Sequence, residues 1–161
     1  MRKKAKRIRW ILLKTNLLKL LIFQLLKKNG GRKWKREGDS HFRELIVYQK
    51  AFEKAMEIFQ MTKSFPSSEK YSSTDQIRRS SRSVCSNLAE SWRKRRYQAV
   101  FVNKLTDSMQ EAFETQTWLE FSLECNYITK EIFDNLNNEY EDIIKMLNSM
   151  EMNANKFCYK N

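Results

Sequence analysis

Beyond residue 40, apolar side chains recur every three to four positions, the period of an α-helix buried on one side. Phe42, Leu45, Ile46, Phe52, Met56 and Phe59 mark a first helix over residues 40–63, with Asp39 or Ser40 as its cap. Residues 64–72 read as a loop, because Pro66 has no amide hydrogen to give a helix. Ile77, Ser81, Val84, Leu88 and Trp92 fall on one side of a second helix. Ser73-Thr74-Asp75-Gln76 fits a capping box at its start, the Ser73 hydroxyl taking the Gln76 amide hydrogen and the Gln76 side chain reaching back. The apolar phase shifts between Ser91 and Tyr97, where this helix ends or bends. Phe101, Leu105, Ser108, Met109, Ala112, Phe113, Leu119 and Leu123 carry a third helix over residues 98–124, and Asn126-Tyr127 interrupts it. Thr129 is placed to cap a fourth helix, with Glu131 in its first turn complementing the dipole. Ile132, Phe133, Leu136, Tyr140, Ile143, Ile144, Leu147 and Met150 line that helix to about residue 150. After Met152 the pattern fades into a polar tail, residues 153–161.

Pro66 is the one proline, and no glycine occurs after Gly38. A chain so short of breakers has no tight hairpins and little room for strands. The fold class is therefore all-α. Four amphipathic helices joined by short loops over residues 39–152 predict an up-and-down four-helix bundle. Aromatic and methionine side chains at helical spacing are read as core rather than as a cofactor box.

Residues 1–38 differ in kind. A basic start precedes a Leu-rich run that Arg9, Lys14 and Lys19 interrupt, far short of the roughly 18 uninterrupted apolar residues of a spanning helix. The small-residue cleavage site of a signal peptide is missing. Three readings stand: a non-native or dispensable extension, a helix lying on a membrane or other anionic surface, and a docking helix. Membrane contact is expected only through this segment. Asn29-Gly30-Gly31 and Gly38 make residues 29–39 a linker.

Charge sharpens the picture. The 161 residues carry a net charge of +12, and 14 of the 31 Lys and Arg lie in residues 1–38 beside one acid, Glu37. Residues 39–161 are close to neutral, yet residues 76–96 hold seven basic side chains against Glu90 alone. On a helix, Arg78, Arg82, Arg93 and Arg96 fall within about 60° of one another, with Arg79 at the edge. A solvated helix face would also carry such charges. Their segregation on an otherwise acidic body is instead the footprint of a polyanion partner. Arg78, Arg79, Arg82, Arg93, Lys94 and Arg96 are the candidate nucleic-acid-binding residues. Only Trp92 and Tyr97 are expected as exposed aromatics beside them, which leaves base stacking a minor role.

Little else suggests chemistry. Cys85, Cys125 and Cys158 are odd in number and far apart, giving neither a disulfide framework nor a zinc site, and fit a reducing, cytoplasmic setting. The single histidine, His41, reads as a helix-start residue, so no metal site, cofactor or catalytic residue is expected. There is no Gly-rich phosphate loop, H-E-x-x-H or G-x-S-x-G motif, and the serines of residues 80–91 have no base beside them. Nothing here supports an enzyme. Asn87 and Glu90, neighbours on one helix face, are expected to make contacts between helices or subunits.

Tyr71 to Arg93 carries Gln76-Ile77-Arg78-Arg79, Ser83-Val84 and Asn87-Leu88-Ala89-Glu90 at fixed spacing. With Phe42, Leu45, Tyr48-Gln49-Lys50-Ala51, Phe65-Pro66 and Glu69, this pattern closely resembles the bacterial four-helix-bundle family encoded in intervening sequences of 23S ribosomal RNA genes. The resemblance covers residues 42–150. It departs at Ser72-Ser73, where the family favours Gly-Leu, and at Ser91, where it favours glycine; residues 1–38 have no counterpart. The resemblance implies a homo-oligomer, since members and the related accessory variability determinant proteins of diversity-generating retroelements assemble as pentamers. It also implies binding of RNA or DNA through basic surface, with Arg78, Arg79, Arg82 and Arg93 at the family's basic positions and Asn87 and Glu90 at its polar signature. From a different class, a protein-interaction scaffold whose basic face meets an acidic protein would use the same charges.

Overall fold

The computed structural model describes residues 41–159. The extension, the linker and the Asp39 or Ser40 cap lie outside the described residues. Four long helices succeed one another: α1 Ile46–Met61, α2 Ser73–Arg93, α3 Gln98–Glu124 and α4 Lys130–Met152, with a short α5 Ala154–Phe157. Each long helix packs on its sequence neighbours, and α1 meets α4 to close the bundle. The chain is all-α, a four-helix bundle.

Two helix starts depart from the sequence reading. α1 begins later than the pattern suggests, because Leu45 is extended (φ −65°, ψ 125°) and separates it from a 3₁₀ turn at Phe42–Glu44. His41 heads that turn, its ring nitrogen accepting the Arg43 amide hydrogen at 3.3 Å. Phe42 packs edge-on to Tyr48, 4.9 Å between ring centroids, so tertiary packing overrides the helical period. At the start of α2 the capping box does not form. The Gln76 amide donates to the Ser72 carbonyl at 3.0 Å, and the Gln76 side chain accepts from Arg79. Glu69 does the capping: its carboxylate accepts from the Ser72 hydroxyl, from the Ser73 amide at 3.4 Å and from the Tyr127 hydroxyl at 3.2 Å. An acid at this end also suits the helix dipole.

The other boundaries rest on local chemistry. The Lys94 amide bonds back to the Glu90 and Ser91 carbonyls where α2 stops. α3 ends at Glu124, and Asn126 takes a left-handed φ of 58° that asparagine tolerates better than most residues. Thr129 caps α4, its hydroxyl accepting the Ile132 amide hydrogen at 3.3 Å.

Core positions alternate in steps of three and four: Ile77, Ser81, Val84 and Leu88 on α2; Phe101, Leu105, Ser108, Ala112, Thr115 and Leu119 on α3; Leu136, Tyr140, Ile143, Leu147 and Met150 on α4. Such a seam packs helices about 20° from antiparallel. Small polar residues fill the α2–α3 contact, where the Ser108 hydroxyl donates to the Val84 carbonyl at 2.8 Å and Thr115 to Ser80 at 3.0 Å. Gln116 donates to Asn137 and Glu141 of α4, both at 2.9 Å. Lys50 of α1 sits between Glu139 and Asp142 of α4, 3.0 Å from each.

On α1 the sequence reading picks the wrong face. Val47, Ala51, Ala55 and Ile58 are buried, while Ile46, Phe52 and Met56 are 71%, 52% and 41% exposed. The expected core position Phe113 on α3 is 54% exposed, and Ile132 on α4 is also exposed. The reading of residues 153–161 as a polar tail also changes. Ala154 is buried, and Phe157 of α5 packs 6.3 Å from the rings of both Trp92 and Phe101.

Candidate nucleic-acid interface

The six candidate residues divide three ways. Arg78 and Arg82 turn toward α1, their guanidinium carbons 4.8 and 5.5 Å from the centre of the Phe59 ring. Arg78 is tied further, its Nε donating to the Thr62 hydroxyl at 2.7 Å. Arg79 turns to the opposite side and pairs with Glu114 of α3 at 3.5 Å. Arg93, Lys94 and Arg96 stand exposed at the end of α2 and in the turn after it. The single stripe of the helical projection is therefore a row on one edge, Arg78, Arg82 and Arg93, running into a basic turn, with Arg79 apart.

Within that turn Arg95 behaves differently. It is buried, its guanidinium 3.8 Å above the Trp92 ring and 4.9 Å from that of Tyr159, its Nε donating to the Trp92 carbonyl at 2.9 Å. Arg95 thus braces the turn from inside, and Trp92, expected as an exposed aromatic, is buried beneath it. Tyr97 is exposed.

Asn87 and Glu90 meet one partner, Lys104 of α3, at 3.4 and 3.1 Å. Asp107 takes the same ammonium at 3.1 Å, and with Glu90 it raises the Lys104 pKa. These are contacts between α2 and α3.

An open groove of about 320 Å³ runs between α1 and α2. Phe42, Tyr48, Phe52 and Met56 line it on the α1 side; Arg82, Ser86 and Ala89 line it on the α2 side, above Cys85. Burial pushes the Cys85 thiol up to about 12, so it stays protonated and is no nucleophile. Ser80, Ser81 and Ser91 spend their hydroxyls on carbonyls of their own helix. Among the described residues no group of three His, Cys, Asp or Glu could hold a metal ion, and no helix is long and apolar enough to cross a membrane.

A sequence profile described as 23S rRNA-intervening sequence protein matches residues 43–149, from ahead of α1 to near the end of α4. The chain belongs to that family. A solved structure from Bacteroides thetaiotaomicron, described as a protein with unknown function from the S23 ribosomal protein family, is 32% identical to this chain, with a TM-score of 0.60. The match covers 66% of this chain and 96% of that one. No functionally curated protein matches. The profile spans the basic row, the groove apart from Phe42, and Lys104 with its partners, and leaves residues 1–42 and 150–161 outside. Neither the family nor the Bacteroides protein is described by a reaction.

Sequence reasoning missed two parts of the site. One is Lys63, whose ammonium lies 5.0 Å from the centre of the same Phe59 ring as Arg78 and Arg82. The other is the ridge beside the arginines, on which Phe52 and Met56 are exposed and Tyr48 and Phe59 half-buried. Its signal was present: Tyr48, Phe52, Met56 and Phe59 keep helical spacing as faithfully as the residues buried behind them.

Proposed function

We propose that this member of the 23S rRNA-intervening sequence protein family is a non-enzymatic, cytoplasmic RNA- or DNA-binding protein. It holds phosphates on the outer edge of α2 and the turn after it. One observation carries the reading. Every lysine of α1, α3 and α4 is ion-paired: Lys50, Lys54, Lys104, Lys130 and Lys145. Among the described residues, Arg82, Arg93, Lys94 and Arg96 have no carboxylate within 4.0 Å, although the body around them is acidic. Cations left without carboxylate partners on such a surface are matched to an anion from outside, and arginine suits phosphate best.

Arg79 contributes least, being paired with Glu114, and Arg78 contributes through the charge it adds to the row. Assembly as a cyclic homo-oligomer, a pentamer by family resemblance, repeats the row around a ring and turns modest contacts into one multivalent surface. The test is RNA and DNA binding by the full chain across a salt series, beside Arg82→Glu/Arg93→Glu/Arg96→Glu. Loss of affinity in the variant, with the log–log salt slope smaller by about 2, is the expected outcome. An unchanged slope moves nucleic-acid binding off α2, and binding of an acidic protein in place of either nucleic acid makes the surface a protein scaffold.

A further inference from the structure

The aromatic ridge and the arginine row are two sides of one groove, and together they specify more than a polyanion. Phe52 is half exposed at the middle of the ridge, and its ring lies 6.2 Å from that of Tyr48 with only 21° between their planes. Phe42 meets Tyr48 edge-on behind them. The groove they line is at the low end of the roughly 300–1,000 Å³ of ligand clefts. Arg82 stands on its α2 rim. Arg93 lies one helical turn beyond Ala89 of the same rim, about 6 Å along the axis.

The charge at the Phe59 end sharpens the demand. Lys63, Arg78 and Arg82 lie within 5.0, 4.8 and 5.5 Å of one ring centre. The ring face offsets part of their mutual repulsion. No carboxylate among the described residues pairs with any of the three. The groove therefore presents a flat apolar platform beside a run of cations that lack counter-charges. A ligand that suits both has planar apolar faces strung on a repeating anion.

We propose that the α1–α2 groove takes single-stranded nucleic acid, one base lying on the Phe52 ring while Arg82 and Arg93 hold the adjoining phosphates. The inference rests on the proposed nucleic-acid function and names its substrate class. In a duplex the base faces are already stacked on one another and cannot reach Phe52. In a single strand they are free, and stacking on aromatic side chains is the usual source of affinity without sequence preference.

The experiment uses the full chain, a labelled oligouridylate and an RNA duplex of equal length, read by fluorescence anisotropy at fixed salt. Phe52→Ala is expected to raise the Kd for oligouridylate roughly 5- to 100-fold while leaving the duplex Kd and both salt slopes in place. Phe52→Trp supplies an independent readout, an emission quenched by oligouridylate and not by duplex. Equal effects on both ligands, or no effect on either, overturn the inference. If Arg82→Glu/Arg93→Glu/Arg96→Glu abolishes binding of both ligands while Phe52→Ala alters neither, stacking fails and phosphate binding stands. If the parent chain binds no nucleic acid, both readings fail together. A Phe52→Ala chain that sediments as a smaller species than the parent makes the ridge a subunit contact, which also overturns the inference.

Discussion

Two side chains show how little a residue's type says about its work here. Arg95 sits among solvent-facing cations, yet it is buried on Trp92 and bonded to that residue's carbonyl. Arg95→Ala should destabilise the fold by roughly 2 kcal/mol, and Arg95→Lys should recover little of it, because an ammonium cannot lie flat on the indole. Arg93→Ala, close by in the chain and exposed, should stay within about 0.5 kcal/mol in the same urea titrations. Glu69 is the second case. Hydrogen bonds from Ser72, then Ser73 and Tyr127, hold its carboxyl below the ordinary glutamate value. A folded-state pKa below the unfolded one gives stability that is present above the unfolded value and fades as pH falls through the folded one. Thermal unfolding of Glu69→Gln should therefore show a lower Tm than the parent at neutral pH, with the gap closing in acid below about pH 4. A gap that persists unchanged in acid would mean that packing, not the carboxylate, is what Glu69 supplies.

At the scale of the helix, α1 separates what sequence can tell from what it cannot. α2 was legible because Ile77, Val84 and Leu88 form a single large apolar stripe, and all three are buried. The bounds of α3 were legible because Tyr97 and Asn126 interrupt the period on either side. α1 carries two stripes, and the reading chose the larger side chains. The bundle chose Ala51 and Ala55, which let α1 approach its neighbours closely and left Phe52 and Met56 outside. Ala51→Leu should accordingly cost about 1–3 kcal/mol by overpacking. Phe52→Ala should cost about 1 kcal/mol or less, against the several expected of a core phenylalanine. Chemical denaturation of the two variants side by side decides which face is the core. Capping was illegible for a related reason. Glu69 reaches the start of α2 only because a 3₁₀ turn at Ser67–Glu69 folds it back, and no spacing rule in the chain announces that turn.

For the molecule as a whole, composition located the basic helix but could not say which of its charges had partners. Arg79 finds Glu114 from 35 positions away, and Arg95 finds Tyr159 from 64, pairings that only the tertiary fold makes. Among the described residues Arg78, Arg82, Arg93, Lys94 and Arg96 lie along α2 and its turn without carboxylate partners, and their mutual repulsion should be relieved by a bound polyanion. The Tm of the full chain should rise with heparin or polyuridylate concentration, by mass action on the folded state, and Arg82→Glu/Arg93→Glu/Arg96→Glu should suppress most of that rise. A rise of equal size in the variant would place the binding elsewhere. Residues 154–159 add a different kind of consequence. Phe157 is seated against Trp92 and Tyr159 against Arg95, so the far end of the bundle's sequence props the turn that displays Arg93, Lys94 and Arg96. A dye attached near Cys158 would serve as a gauge of events at the basic turn, and a protease that trims back past residue 157 should loosen the turn that presents Arg93, Lys94 and Arg96 without removing any of those three charges.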